Sequence, residues 1–278
     1  MTQAAGPILE DDAGNRFAPA GPEARIACFV PSITELLVDL GLGGRMVART
    51  QFCIHPAESV ARIPAIGGTK KVNLSKLKEL APSHAVLNID ENTAEMAEAM
   101  RGFVPNVVVT HPLVPDDNLR LYALMGSLFG RETAAADLAH RFRDARRALT
   151  PPDAGSRLKV LYFIWKDPWM TVSRDTYISA LLGLVGWQTR LHDPAVRYPA
   201  VDLTPETVAT TDLFLFPTEP WEFTRRDVEA FLRDYACPPE KALMVDGEYC
   251  SWYGSRAIAG LGYLKALAEE VRRPSIRR

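Results

Sequence analysis

The 278-residue sequence is poor in cysteine. It contains four cysteines, and no two of them form a C-x-x-C pair. Closely spaced cysteine pairs are typical of redox motifs and zinc sites, whereas short secreted chains often carry an even set that forms disulfides. The scattered thiols therefore predict reduced cysteines, as in a protein of the cytoplasm.

Long apolar runs are also absent. The longest stretches without a charged side chain, 102–115 and 176–189, have 14 residues each, and both contain glycine. A membrane-spanning helix needs about 20 apolar residues. Residues 1–24 carry five charged side chains and lack the apolar stretch of a signal peptide. We therefore expect a cytoplasmic protein with no membrane insertion, and keep a periplasmic location as the alternative.

The chain has almost no excess of either charge. It contains 32 Lys and Arg against 34 Asp and Glu, a formal net charge of −2. Proteins that bind nucleic acids usually carry a basic excess, so this class is not favoured. Hydrophobic residues make up 47% of the chain, which is typical of a globular protein with a substantial core.

Short apolar runs alternate with helical patterns along the whole chain. The first pair is a strand at 25–30 and a helix with Ile33, Leu36, Leu37 and Leu40 on one face, preceded by a Ser32-x-x-Glu35 capping box. Further strands are expected at 46–50, 84–89, 106–110, 158–164, 212–216 and 242–245. Further helix starts are expected at Asn73, Asn92 or Thr93, Pro115, Asp175, Thr204, Thr224 and Ser255. This alternation predicts an α/β fold with parallel sheets.

One segment separates two halves of this pattern. Residues 132–149 form a long helical stretch with arginines around its apolar face, and 151–156 then interrupt regular structure with two prolines and a glycine. The break predicts a boundary between two α/β domains.

Polar and aromatic residues follow the predicted strands. All five tryptophans lie after residue 164, and four of them stand at strand ends, namely Trp165, Trp169, Trp221 and Trp252. Ligands of open α/β sheets bind beyond the carboxyl ends of the strands. Indole rings offer flat faces for stacking, which suits a broad ligand with polar edges. The alternative is that these rings only fill the joint between two lobes.

Several motifs resemble those of one transport family. The segment 30–37, VPSITELL, followed by Leu40-Gly41-Leu42, is similar to the opening of class III, cobalamin- and siderophore-type, substrate-binding proteins of ABC transporters. The resemblance continues at 63–68, IPAIGG, at Asn73-Leu74 and at 80–82, LAP. In the second half, 162–169, YFIWKDPW, and 246–256, DGEYCSWYGSR, resemble the subgroup called helical-backbone metal receptors.

This resemblance implies an architecture and a role. Two Rossmann-like lobes would be joined by a single long helix, with the ligand in the cleft between them. The implied segments are an N-terminal extension (1–24), an N-terminal lobe (25–131), a connecting helix (132–150) and a C-terminal lobe (151–278). The family implies non-catalytic binding of a cobalamin-like, haem-like or other metal-chelate ligand, with an ABC permease as partner if the protein is exported. No other cofactor is expected.

The resemblance also implies a set of ligand-binding residues. One wall would consist of Pro31, Ser32, Phe52, Gly68 and the 88–92 loop, including Asn88. The other would consist of Trp165, Trp169, Trp221, Trp252 and Tyr253, with Glu248 beside them.

Two other functions stay open from the residues alone. A cytoplasmic enzyme on the same scaffold would use Asp246, Glu248, His111 and Cys250. A metal-handling protein would use Cys53 and His55, with His111 and His192 as further ligands, because zinc needs three or four.

Overall fold

A computed structural model describes residues 9–149, 157–190, 192–193 and 195–272. The predicted break at 151–156 lies outside these residues. The strands are β1 (Leu9–Glu10), β2 (Arg16–Phe17), β3 (Ile26–Cys28), β4 (Met46–Arg49), β5 (His84–Asn88), β6 (Asn106–Thr110), β7 (Leu158–Trp165), β8 (Met170–Thr171), β9 (Trp187–Thr189), β10 (Leu213–Pro217) and β11 (Ala242–Val245).

Helices follow most of the strands, as the sequence predicts. They are α1 (Pro31–Asp39), α2 (Ala57–Val60), α3 (Leu74–Glu79), α4 (Ala94–Arg101), α5 (Asp117–Phe129), α6 (Glu132–Arg147), α7 (Tyr177–Gly183), α8 (Pro205–Thr210), α9 (Arg225–Asp234), α10 (Gly247–Ser251) and α11 (Arg256–Arg272). Among the described residues, none of these helices combines the length and the apolar character that a membrane span requires.

The described chain forms two compact units. The first contains residues 9–112, Asp116–Phe142 and Tyr253–Arg256. The second contains Leu113–Pro115, the described part of Arg143–Trp252, and 257–272. The boundary therefore falls inside α6, and a short segment late in the sequence belongs to the first unit. The domain limits that the family resemblance implies stay a prediction.

The first unit is built on a four-stranded parallel sheet. The strand order is β4-β3-β5-β6, so that β3, the earliest of the four, lies between its two successors. Ala27, Ala85 and Leu87 are buried in one core cluster with Met96 and Met100 of α4. Because all four strands are parallel, their carboxyl ends share one edge, with the 88–92 loop among them.

The second unit is built on a mainly parallel sheet. Its order is β11-β10-β7, and the far side of β7 pairs with β9 in parallel and with β8 antiparallel. The core on one face is rich in aromatic rings, including Phe163, Phe214, Phe216 and Phe231. The α/β fold with parallel sheets in two lobes is thus confirmed.

Two predicted helix caps are wrong. The Ser32-x-x-Glu35 capping box does not form, because α1 begins two residues earlier than that box implies, at Pro31, with Val30 as its N-cap and no side-chain cap. Glu35 instead accepts hydrogen bonds from Arg256. Asp175 does not cap α7; the neighbouring Thr176 hydroxyl accepts the bond from the Ser179 amide. The predicted cap Asn73 is confirmed, and of the two candidates Asn92 and Thr93 the cap is Thr93. The helix starts expected at Thr204 and Thr224 are also confirmed, and both threonines are N-caps.

Candidate functional site

The strand-end loop after β5 is held by its own asparagines. Asn88 is buried, and its side-chain oxygen accepts a hydrogen bond from the Asp90 amide at 2.8 Å. The Asn92 side chain accepts from the Asn88 amide at 2.8 Å. It also donates to the Phe29 carbonyl at 3.2 Å and to the Thr69 carbonyl at 2.8 Å. The loop is therefore fixed to the end of β3 and to the segment 67–70, which is called the Gly-rich segment below.

Phe52 presents an open aromatic face in the first unit. Its side chain is 51% exposed, although it lies against Gly68. A Cβ at Gly68 would stand 3.2 Å from Phe52 Cε2, so the absence of a side chain there permits the contact. Lys70 donates to the Asp90 carbonyl at 2.8 Å and so ties the Gly-rich segment to the 88–92 loop.

Pro31, Ser32 and Tyr253 are buried in this structure, and their ligand-binding role stays a prediction. Gly254 packs closely on Ser32, since a Cβ there would lie 2.9 Å from the Ser32 carbonyl oxygen. The Tyr253 hydroxyl donates to the Glu91 carboxylate. Burial and the Glu91 charge raise the pKa of Tyr253 well above its usual value, so the phenol stays a donor. These residues support the strand-end edge of the first unit.

A histidine–carboxylate contact lies at the same edge. His111 directly follows β6, and its Nε2 is 3.5 Å from the Asp90 Oδ2. Both side chains are partly buried. The parallel pairing of β5 with β6 brings these two loops together.

Trp165 is the most open tryptophan in the described chain. It ends β7 and is 43% exposed. Its ring meets that of Trp221 edge to face, with centroids 4.4 Å apart and an interplanar angle of 73°. Trp221 follows β10, the neighbouring strand, so parallel pairing places both indoles at one edge of the second unit.

Trp169 has a different environment from Trp165. Its ring stacks on Phe223 at 5.9 Å and 4°, and its indole nitrogen donates to the Tyr235 hydroxyl at 2.9 Å. It therefore packs against the aromatic core cluster of the second unit. Its ligand-binding role stays a prediction.

Trp252 is buried and holds a carboxylate. Its indole nitrogen donates to Glu219, which also accepts from the Ser251 hydroxyl at 3.3 Å. The pKa of Glu219 is raised to about 7, mainly by burial and also by the charges of Glu248 and Asp246, against the lowering effect of the two hydrogen bonds. Glu248 itself lies partly buried in α10. Glu219 lies in the loop after β10, where the strand-end rule expects ligand-binding groups. The sequence alone did not indicate that Glu219, rather than a neighbouring residue, has the perturbed pKa.

All four thiols are buried in the part of the chain that the structure describes. Cys250 is buried, and desolvation raises its pKa to about 12, so it is a poor nucleophile. Cys53 is buried between Thr34 and Thr50, whose hydroxyls lie 3.1 Å from its sulfur. Within the described ranges, no group of three or more His, Cys, Asp and Glu side chains could hold a metal ion.

The structure brings the expected residues together in two separate sets. In the first unit, Phe52, Gly68 and Asn88 share the strand-end edge with Glu91 and His111. In the second unit, Trp165 and Trp221 touch, while Trp252 and Glu248 lie around the α10 turn. Sequence reasoning placed Glu91 and Asn92 in the 88–92 loop but did not predict their hydrogen bonds to Tyr253 or to the Phe29 and Thr69 carbonyls, because hydrogen bonds between distant segments leave no periodic signal.

Comparison with known proteins decides the family. A family model described as periplasmic binding protein matches residues 26–192, more than half of the chain. The chain belongs to this family. A curated relative, the vitamin B12-binding protein of Vibrio cholerae, is 20% identical over 223 residues, which cover 77% of this chain and 79% of the relative.

Solved structures agree in fold. The periplasmic vitamin B12 binding protein BtuF of Vibrio cholerae matches with a TM-score of 0.76 and 14% identity, covering 91% of this chain and 99% of that chain. The apo periplasmic heme-binding protein RhuT from Roseiflexus sp. RS-1 matches with a TM-score of 0.71 and 19% identity, covering 90% and 100%. The expected class III binding-protein family is confirmed, and its members bind rather than catalyse.

Proposed function

We propose that this protein binds a cobalamin-like, haem-like or other metal-chelate ligand and delivers it to an ABC permease. The family supports a binding role. The names of similar proteins, which bind vitamin B12 and heme, support a broad planar ligand.

The Trp165–Trp221 pair carries the proposal. A tryptophan left 43% exposed at the end of a central strand exposes a large apolar face to water. Aromatic rings of this size bury about 150–250 Å² each when covered. A planar macrocycle against Trp165 would cover that face, and Phe52 offers a second open ring in the first unit.

Polar groups at the strand ends would orient the ligand. Ligand pockets combine apolar walls with a few placed polar groups. Asp90, Glu91 and His111 supply such groups in the first unit, and Glu248 supplies one in the second. Amide edges of a macrocycle have N–H donors for these carboxylates and carbonyl acceptors for the His111 ring.

Thermal unfolding with cyanocobalamin, haemin and a ferric catecholate chelate tests the proposal. Ligand at 100 times its Kd stabilises a folded protein by about 2.7 kcal/mol, which raises Tm measurably. We expect at least one of these compounds to raise Tm and to quench tryptophan fluorescence. No shift with any of them, at concentrations that saturate a micromolar site, would contradict the proposal.

A matched pair of variants locates the contact. Trp165→Ala should weaken binding of the positive compound at least tenfold, since truncating a central aromatic contact costs about 2 kcal/mol. Met244→Ala removes another exposed apolar side chain of the second unit and should leave the affinity unchanged. Equal affinities for the two variants would exclude Trp165 from the contact.

Delivery to a permease also requires the protein outside the cytoplasm. Fractionation of the native cells, with cytoplasmic and periplasmic marker proteins as controls, tests this step. Recovery in the periplasmic fraction would support the permease partner. Recovery only in the cytoplasm would contradict delivery while leaving ligand binding intact.

A further inference from the structure

The turn that begins α10 is attached tightly to the loop after β10. The Gly247 amide donates to the Thr218 hydroxyl at 2.9 Å, and the Thr218 amide donates to the Val245 carbonyl at 3.1 Å. A Cβ at Gly247 would stand 2.5 Å from the Glu219 nitrogen. Only glycine permits this approach, so the start of α10 packs directly against the backbone of the loop after β10.

Glu219 is the charged group at this junction. From α10 and its end, Ser251 and Trp252 donate hydrogen bonds to its carboxylate. From the same side, Glu248 and Asp246 face it with like charge, and from β7 it faces the buried Tyr162 phenol. Burial and those carboxylates raise its pKa to about 7, against the lowering effect of the hydrogen bonds from Trp252 and Ser251.

The same loop carries Trp221, two residues further on. The Phe223 amide donates to the Pro217 carbonyl at 3.2 Å, which closes the loop at its base, and Phe223 is buried in the aromatic core. Between these fixed ends, the Glu219 side chain is one of the loop's anchors to α10. A change at Glu219 therefore reaches the indole that meets Trp165.

We propose that Glu219 is a positioning residue whose proton sets how the loop at 218–222 presents Trp221 to the ligand. This inference rests on the proposed function. When Glu219 is protonated, it still accepts the hydrogen bonds from Ser251 and Trp252. It then carries no charge, so Glu248 and Asp246 do not repel it. Loss of the proton strengthens those two hydrogen bonds, but it also buries a charge beside Glu248 and Asp246. Because burial and repulsion together outweigh the hydrogen bonds, ionisation loosens the loop, and ligand affinity falls as the pH rises through neutrality.

NMR of the indole N–H of Trp252 tests the proton without any ligand. The resonance, assigned by its absence from Trp252→Phe, should shift with pH with a midpoint near 7 in the wild type. The shift should vanish in Glu219→Gln and persist in Glu222→Gln, which changes an exposed glutamate of the same loop. A flat wild-type profile, or a titration that survives in Glu219→Gln, would overturn the inference.

Ligand affinity at pH 6 and pH 8 tests the consequence, using whichever of cyanocobalamin, haemin and the ferric catecholate chelate raises Tm. We expect weaker binding at pH 8 for the wild type and Glu222→Gln, and no pH dependence for Glu219→Gln. A one-unit change in pKa on binding corresponds to a tenfold change in affinity. Binding that is equally tight at both pH values in the wild type would contradict the inference.

The two tests separate this inference from the proposed function. If the Trp252 resonance titrates through Glu219 but none of the three compounds binds, the proposed ligand class is wrong while the titration of Glu219 is confirmed. If Glu219→Gln does not fold, the titration of Glu219 is followed directly by the pH dependence of its carboxyl ¹³C resonance. The titration midpoint is then compared between the wild type and Trp252→Phe. Trp252→Phe removes a donor that lowers the pKa, so its midpoint should lie above that of the wild type; an equal or lower midpoint would overturn the inference.

Discussion

At the scale of single residues, the loop after β7 is fixed by an ion pair. Lys166 donates to Asp227, which also caps α9 in a capping box with Thr224. The hydrogen bonds from Lys166 and Thr224 lower the pKa of Asp227 to about 2. Lys166 directly follows Trp165, so this pair also restrains the exposed indole.

We predict that Asp227→Asn changes the acid stability profile. The pKa of Asp227 is about 2 in the folded chain and 3.8 in the reference state, so its contribution is present above pH 4 and is lost as the pH falls towards 2. Asp227→Asn should lower the free energy of unfolding by about 1–2 kcal/mol at pH 7, through the lost cap and pair.

Denaturant unfolding between pH 2 and pH 7 measures this effect. The difference between the wild type and Asp227→Asn should narrow as the pH falls from 4 to 2. Asp234→Asn, at the exposed end of the same helix, serves as the control and should stay within about 0.5 kcal/mol of the wild type. A difference that does not depend on pH would show that the ion pair contributes nothing.

At the scale of elements, the segment Tyr253–Arg256 is held by more specific contacts than an ordinary linker. It leads into α11 yet belongs to the first unit. Its contacts there are specific: the Gly254 amide donates to Asn118, and its carbonyl accepts from the Tyr122 hydroxyl at 2.8 Å. Hydrogen bonds on both sides of one glycine fix the backbone at that point.

We predict that Gly254→Ala is clearly destabilising. Gly254 has φ +80°, and a Cβ would lie 2.9 Å from the Ser32 carbonyl oxygen. A non-glycine residue in this region costs about 1–3 kcal/mol before the clash is added. Gly262→Ala, on an open face of α11 with nothing near its Cβ, should be neutral or stabilising by up to about 1 kcal/mol. Denaturant midpoints compare the two, and similar values would refute the close approach.

At the scale of the whole molecule, residues late in the sequence stabilise the first unit. Arg256 donates two hydrogen bonds of 2.7 Å to Glu35 of α1, and both side chains are largely buried. Bidentate pairs of this kind are stronger than surface ion pairs, because water screens them less.

We predict that Arg256→Ala reduces stability by about 2–4 kcal/mol, since it leaves the Glu35 carboxylate largely buried without its partner. Hydrogen exchange should show the loss at the amides of β3 and β5. Arg101→Ala, which removes an exposed ion pair of the first unit, should cost less than about 1 kcal/mol. Unchanged exchange in β3 and β5 would contradict the proposed dependence on the late segment.

A thiol count tests the burial of all four cysteines. Each of them is a buried free thiol. We expect slow reaction with a thiol reagent in the native protein, because a buried thiol is neither accessible nor ionised. After unfolding in denaturant without a reductant, four thiols per chain should react. A count of two would show a disulfide and contradict the prediction of reduced cysteines.

The amino-acid sequence by itself determined the order and type of the main elements and the family. Short apolar runs and apolar patterns of period 3.6 are local features, and the VPSITELL and DGEYCSWYGSR segments are contiguous, so both can be recognised without coordinates. The strand-end rule likewise selected Trp165 and Trp221, which the structure brings into contact.

Only the tertiary structure decided which strand-end side chains are exposed to solvent and which are packed or hydrogen-bonded within the protein. Trp165 is exposed whereas Trp169 packs against the core, although both follow the same strand. Glu35 pairs with Arg256 across 221 positions instead of capping its own helix. Such choices depend on long-range packing and on burial of charge, and local periodicity carries no information about either.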